Sequence, residues 1–465
     1  MADVIVAGPV QNAVIIAPEY FFLRENAPQE DFSPVFILLG VPLIVRVLRQ
    51  LQDAGVQRST IILPERLSAA ETIVKNDFRI THQAEFRFVP SAPSAQTTIQ
   101  KVLSEQNAAC YVCRSDLLVP AMMLKTLASI HVAHPSVSIA IQNTVPAADE
   151  MGLIEAPSPA RCAIGKGNRL TGVLILSPDA ANYSGTLSSR LEQLAQKGEI
   201  HTVRTDEFWS QTCRNQADLK PSQKKLLRAL RKPIDGFIAR SINRNISIPI
   251  SRLLANTPIT PNQSSSFSVV LAIMAIACVV QGGYYWMLAG AFLFQCASIV
   301  DGVDGELARL KYKFSKYGEW FDTVADDISN FSFFAGVTYA ISQGTAGPAW
   351  LLPFGISTLC CYLCITPLMY SYIILYTNSG DVMAIDFSFN KVNSLKDDSF
   401  FIRMMAFFKF IAKRDFFIFS VFVFALFDIL PYFLIITSVF SFFIVVATAF
   451  QHIKKRIELR SVKTP

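Results

Sequence analysis

The stretch Asp301-Gly302-Val303-Asp304-Gly305-Glu306-Leu307-Ala308-Arg309 closes a long apolar run. After eight intervening residues comes Gly318, then Asp322 and Asp326. On a helix, Asp301 and Asp304 share a face at i, i+3, and Asp322 and Asp326 share one at i, i+4. Two facing helices then bring four carboxylates to one point. Such a concentration of negative charge beside a membrane requires cations to neutralise it. Oxygen-only ligands select hard divalent ions, Mg²⁺ or Mn²⁺. Gly305, Ala308 and Gly318 are small surfaces that admit close approach of helices or of a nucleotide. Asp327, Glu306 and Glu319 fall off the repeating faces and read as solvent-exposed helix-end acids.

The chain around this cluster is divided in character. Its 465 residues suffice for two or three domains. It is 51% hydrophobic with a mean hydropathy of +0.36, yet residues 1–220 have the composition of a soluble domain. Long apolar runs begin near Phe267. The net charge is +6, and the basic residues cluster. Lys220, Lys224, Lys225, Arg228, Arg231, Lys232, Arg240, Arg244 and Arg252 face a single acid, Asp235, and the C-terminal tail is basic again. Basic segments flanking spans stay on the cytoplasmic side and attract anionic headgroups. The stretch abuts membrane spans and carries a single aromatic residue, Phe237, which argues against a nucleic-acid partner. The N-terminus has no basic region followed by an apolar core, so no cleavable signal peptide is expected and the soluble domain is placed in the cytoplasm. Cys110 and Cys113 form a CxxC inside an apolar strand, without the second pair a metal site needs, and read as buried free thiols.

The expected fold is an α/β soluble domain followed by an all-α, six-helix transmembrane domain. Asn12–Ala17, Thr60–Leu63, Glu85–Val89, Ala109–Val112, Val137–Gln142 and Leu170–Leu176 read as strands. Pro42–Ala54 and Pro120–His131 read as helices. Alternation of this kind predicts a layered, mainly parallel sheet. Lys220–Asn245 reads as one basic amphipathic helix on the membrane surface. Six spans follow, near Phe267–Val280, Tyr284–Val300, Thr323–Ser342, Leu351–Tyr376, Phe416–Phe433 and Ile435–Phe450. An even number keeps both basic ends on one side. Thr377–Lys413 joins spans four and five, with Phe400–Ile411 interfacial. The domains are therefore 1–219, a basic juxtamembrane helix at 220–258, and a membrane domain at 259–465.

The aspartate pattern resembles the signature DxxDGxxARx8GxxxDxxxD of the CDP-alcohol phosphotransferase (phosphatidyltransferase) family. Asp301, Asp304, Gly305, Ala308, Arg309, Gly318, Asp322 and Asp326 match every fixed position. A Thr260-Pro261-Asn262 element precedes the first span; Gln263-Ser264-Ser265 follows where that family has Gln-x-Thr. The resemblance implies that Asp301, Asp304, Asp322 and Asp326 bind two metal ions clamping the donor's diphosphate. It implies that Asp326 is the general base. Gly305, Ala308, Arg309 and Asn262 would then contact the CDP moiety. Arg403, Lys409, Lys413 and Arg414 either hold an acceptor phosphate or contact lipid headgroups. A CDP-alcohol donor, an alcohol or phospho-alcohol acceptor, the bilayer and a second copy of the chain are the expected partners.

The N-terminal domain resembles sugar-phosphate nucleotidyltransferases, which are Rossmann-like, through Gly40-Val41-Pro42-Leu43-Ile44 with Gly55-Val56, and through Ser115-Asp116. The whole arrangement resembles inositol-phosphate cytidylyltransferase/di-inositol phosphate phosphate synthase fusions. The catalytic elements of the first domain are replaced. Its phosphate loop is Ala17-Pro18-Glu19-Tyr20-Phe21-Phe22, its lysine is Ser33, and its second metal aspartate falls in Gln211-Thr212-Cys213. A degenerate, non-catalytic domain is expected. Charged residues are only 17%, a mesophilic composition, which favours phospholipid headgroup synthesis over soluble di-inositol phosphate synthesis. A non-catalytic membrane scaffold is the reading of a different class.

Overall fold

The computed structural model describes residues 10–21, 33–133, 137–143, 151–154, 161–164, 168–183, 185–232, 235–376 and 413–461. Two compact units emerge, Met1–Arg228 and Ala229–Pro465.

The first unit is built on a nine-stranded sheet. Its strands are β1 (Asn12–Ile16), β2 (Arg58–Pro64), β3 (Gln83–Val89), β4 (Cys110–Arg114), β5 (Val137–Gln142), β6 (Met151–Ile154), β7 (Arg161–Ile164), β8 (Asn168–Leu176) and β9 (Ile200–Arg204). The order is β7-β6-β8-β4-β1-β2-β3, with β5 joining β8 to β9. β1 lies at the centre, parallel to both β2 and β4, and Val14, Ile15 and Ile16 are fully buried. Runs buried on both faces suit a central parallel strand.

The sheet is mixed rather than mainly parallel. Among the described residues it has four parallel pairings and four antiparallel ones, the latter all involving β6, β7 or β8. The physical reason is connection length. Only six residues separate Ile154 from Arg161, the facing ends of the paired strands β6 and β7, whereas a parallel crossover needs about a dozen or more.

The helix Leu43–Ala54 forms as its periodicity dictates. Leu43, Val47, Leu48 and Leu51 are buried, and Gly55 ends it at φ 107°, its N–H bonding back to Leu51 and Gln52 carbonyls. That left-handed position is one a glycine takes at little cost. Cys110 and Cys113 are free and buried on β4. Burial pushes both thiols up, Cys110 to about 12, so they are inert.

The second unit is helical. Its helices are α1 (Arg244–Ala255), α2 (Pro261–Gln281), α3 (Tyr284–Lys311), α4 (Lys316–Ser342), α5 (Leu352–Tyr376), α6 (Arg414–Leu426) and α7 (Phe433–Ser461). The single basic helix expected over Lys220–Asn245 is broken. The helix Leu219–Ala229 stops, Arg231 and Lys232 leave the helical path, and a π-helical stretch, Ala239–Asn243, leads into α1. Lys232 precedes a proline in the sequence, and that position is sterically driven out of the helical region.

Among the described residues, four segments are long and apolar enough to cross a membrane: Pro261–Gln281, Tyr284–Lys311, Ala349–Tyr372 and Leu430–Phe450. Helices stand at all six expected places, but the count of six spans is not confirmed. α6 has 13 residues, short of the roughly 20 needed, and the first half of α4 carries Glu319, Asp322, Asp326 and Asp327. The Thr377–Lys413 connection, with Arg403 and Lys409, lies outside the described residues save for Lys413.

Small residues let α2, α3 and α4 approach closely. A Cβ on Gly290 would lie 2.5 Å from Val279 Cγ1, and one on Gly336 2.8 Å from Val279 Cγ2. Phe294 of α3 stacks on Phe333 of α4 at 4.4 Å. Large apolar side chains are also displayed outward, among them Phe267, Ile273, Phe292, Leu363, Phe442 and Phe450. This is the pattern of helices solvated by lipid, whose association depends on close packing.

Candidate active site

The site starts where α2 begins. Thr260 and Gln263 form a reciprocal capping box, with Pro261 at the first helical position. The box fixes the entry of the helix and presents Asn262 and Ser265. Lys311, at the end of α3, donates to the carbonyls of Thr257 and Ile259 at 2.7 Å each, tying that approach segment to α3. Ser315 caps α4 through the Gly318 N–H at 2.8 Å. A Cβ on Gly318 would come within 3.3 Å of Asn262 Oδ1, so glycine there permits α4 to start against Asn262.

Asp301 of α3 and Asp322 and Asp326 of α4 converge. Each offers a carboxylate oxygen, and the three oxygens lie within 4.8 Å of one another. Asp304 faces Ser265, whose hydroxyl donates to its Oδ2. Ser265 stands where the resembled family has threonine, so the departure noted in the sequence preserves the hydroxyl. The crevice at this point is lined by Asp301, Asp322, Asp326, Ser298 and Ser329, and deeper in by Phe294.

The cluster fits hard divalent cations. The donors are all oxygen, they converge from two helices, and Asp301 Oδ1 is buried without a hydrogen-bond partner among the described residues. An unsatisfied buried carboxylate oxygen is costly unless a cation or donor reaches it.

One basic group of this chain already engages the cluster. Arg414 donates from Nη1 to Asp301 Oδ2 at 2.8 Å and from Nη2 to Asp326 Oδ1 at 2.5 Å, and pairs with Asp326 Oδ2 as well. Of Arg403, Lys409, Lys413 and Arg414, the cations that the sequence offers for an acceptor phosphate or lipid headgroups, Arg414 lies at the cluster. Lys413 stands at the start of α6, its backbone carbonyl accepting from the Phe417 N–H at 3.1 Å, and Arg403 and Lys409 lie outside the described residues.

The remaining candidates fall around the rim. A Cβ on Gly305 would meet only Arg309 Nη1, at 3.9 Å, so open space lies over it. Ala308 is half-buried. Arg309 Nε and Nη2 are buried without hydrogen-bond partners among the described residues. Such a guanidinium has donors to offer to an anion.

Two acids expected to be solvent-exposed are not. Glu306 is fully buried. It accepts from Arg244 at 2.5 Å and from the hydroxyls of Ser247 and Ser251, both at 2.6 Å. Asp327 accepts from the Tyr370 hydroxyl at 2.7 Å. The sequence did carry a signal for Glu306. Arg244, Ser247 and Ser251 form a polar stripe at helical spacing, with Ser247 and Ser251 buried, and such a stripe needs a buried acceptor. Asp235 completes the group, bound by Arg244 at 3.1 and 3.3 Å. Burial raises the Asp235 carboxyl, but the Arg244 guanidinium outweighs it and leaves the group below its ordinary range.

Residues 258–443 match the model of the CDP-alcohol phosphatidyltransferase family. The match falls within the second unit and takes in most of it. Beyond that match, the chain is 24% identical over 364 residues to a bifunctional IPC transferase and DIPP synthase of Aquifex aeolicus, covering 73% of this chain and 79% of that protein. It is 38% identical over 128 residues to the protein of the same description from Rubrobacter xylanophilus, 28% of each chain. Among solved structures, the inositol-1-phosphate CTP transferase of T. maritima aligns with 49% of this chain and 99% of its own, at 14% identity and a TM-score of 0.38.

In the first unit, the elements that resemble a nucleotidyltransferase site are filled by the protein itself. Asp116 is fully buried and receives Arg114 through two bonds of 2.9 and 2.7 Å. Gly172, at φ 86°, leaves room for the Arg114 side chain, since a Cβ there would lie 2.8 Å from Arg114 Cδ. The segment beside Asp116 is Gln211–Thr212, paired with Leu117–Leu118, and the Cys213 N–H donates to the Asp116 carbonyl at 2.9 Å. None of Gln211, Thr212 and Cys213 carries a carboxylate. In place of a phosphate loop, Pro18–Phe21 makes a helical turn that buries Tyr20 and Phe21, with Glu19 paired to Arg66 at 2.7 Å.

Proposed function

We propose that this chain transfers a phospho-alcohol group from a CDP-alcohol to an acceptor hydroxyl, releasing CMP, in phospholipid synthesis at a membrane. The observation that carries the proposal is the convergence of Asp301, Asp322 and Asp326, with Asp304 held by Ser265, in a stretch that matches the CDP-alcohol phosphatidyltransferase family.

Asp301, Asp304, Asp322 and Asp326 would hold two divalent ions, Mg²⁺ or Mn²⁺. When bound, these neutralise the donor diphosphate and make its phosphorus electrophilic. Gly305 and Ala308 leave room for the cytidine, and Asn262 and the partner-less donors of Arg309 are placed to meet the CDP moiety. Asp326 takes the proton of the acceptor hydroxyl. The oxygen attacks the phosphorus distal to cytidine, the bond to the CMP oxygen breaks, and CMP leaves with that electron pair. Arg414, already at Asp301 and Asp326, adds positive charge where negative charge accumulates. The first unit acts as a degenerate domain without nucleotidyl transfer. The chain works as a multi-pass membrane protein, its first unit cytoplasmic, and as a homodimer.

A second reading differs in substrate. The relatives named as DIPP synthases favour CDP-inositol as donor and an inositol phosphate as acceptor. Lipid profiling of a deletion strain decides between them. Loss of one phospholipid class supports lipid synthesis; an unchanged lipid profile with loss of a soluble phosphodiester supports the second reading.

A further inference from the structure

We infer that Asp415 is a positioning residue that fixes Arg414 in the active site by clamping α6 to the juxtamembrane segment. The inference rests on the proposed transferase reading and adds to it a control point outside the aspartate cluster.

The geometry has two arms, both within the second unit. Asp415 accepts from the Ala239 backbone N–H at 2.7 Å, where the helical stretch leading to α1 begins. A carboxylate at the start of a helix satisfies a free N–H and meets the positive end of the helix dipole. The fit is tight, because a Cβ on Gly236 would collide with the Asp415 carboxylate. Glycine at 236 is therefore part of the clamp. The neighbouring residue, Arg414, reaches the opposite way, to Asp301 and Asp326. The second arm is Glu306, which ties Arg244, Ser247 and Ser251 of α1 to α3 two residues beyond Asp304. The juxtamembrane segment thus grips both the helix that carries Arg414 and the helix that carries Asp301 and Asp304. A side chain fixed at its base by a neighbouring clamp loses less freedom when it engages its target, and small misplacements in such sites cost large factors in rate.

The clamp is tested in the full chain, reconstituted in lipid, with Mn²⁺ as probe. Arg414 shares Asp301 and Asp326 with any ion those carboxylates bind. Releasing Arg414 should therefore tighten Mn²⁺ binding several-fold while lowering kcat about tenfold. Asp415→Ala is the first variant, with Mn²⁺ affinity read by electron paramagnetic resonance and kcat read as CMP release per folded enzyme. Gly236→Ala should reproduce both changes from the opposite side of the contact. Asp415→Asn keeps an acceptor for the Ala239 N–H and should restore both values to within about twofold. Unchanged or weakened Mn²⁺ binding in Asp415→Ala and Gly236→Ala would overturn the inference, as would failure of Asp415→Asn to restore it. If the wild type binds Mn²⁺ but releases no CMP, the transferase reading fails on its own, and the Mn²⁺ comparison still decides the clamp.

Discussion

Asp116 in the first unit and Asp301 in the second both pair with an arginine, and the two pairings mean different things. Asp116 and Arg114 are one acid and one base, bonded through both carboxylate oxygens and sealed in the fold. The charge is balanced locally, and no further ion is called for. Around Asp301, one guanidinium serves a cluster in which Asp301, Asp322 and Asp326 converge, and Asp301 Oδ1 remains without a partner among the described residues. The three acids outnumber the one arginine that engages them. The first arrangement has closed on itself. The second could hold a metal ion among its carboxylates, and it is the one proposed to act on a diphosphate.

That contrast can be broken at several points. Asp326→Asn removes the proposed base and should lower the rate of CMP release by about 10³-fold, with the variant still folded; retention of full activity would refute the role. Arg114→Ala should destabilise the first unit by about 3–5 kcal/mol, because it leaves Asp116 charged and buried without its partner. Denaturant unfolding of the full chain, followed by a probe in the first unit, measures this, and a change below about 1 kcal/mol would mean that the pair is not structural. Ser265→Ala should slow CMP release about tenfold by freeing Asp304, whereas Ser265→Thr should keep most activity. The smallest effect is on pH dependence. The Asp235 carboxyl sits below its ordinary range when folded, so its stabilisation is present above the unfolded value of about 4 and is lost as pH falls below it. The difference in melting temperature between wild type and Asp235→Asn should be constant above about pH 5 and shrink on acidification.

Much of this site was legible in the sequence, because carboxylates at i, i+3 and i, i+4 on two neighbouring helices leave few arrangements other than convergence. The helix Leu43–Ala54 and the strands around β1 were legible for the same reason, a clear period. What escaped depends on contacts distant in sequence. Arg414 meets Asp301 across 113 residues, and nothing in its local composition distinguishes it from Lys413. Glu306 looked exposed because its acceptors' partners lie on α1, 55 to 62 residues earlier. The strands β6 and β7 escaped because they are four residues each, too short to show a period, and the antiparallel direction of β8 depends on pairings with β4 and β5 that its own pattern does not encode. The count of six spans is not confirmed, because α4 carries acids in its first half and α6 is short.

The central claim is that the second unit is the working centre and the first is not. The most direct measurement incubates the purified full chain with Mg²⁺ or Mn²⁺ and a panel of CDP-alcohols and acceptors. CMP is followed in one channel and, with CTP and sugar or inositol phosphates, pyrophosphate in the other. The account predicts metal-dependent CMP release, abolished by chelation and restored by adding the ion back, and no pyrophosphate. Pyrophosphate release, or the absence of CMP with every donor and acceptor, would contradict it.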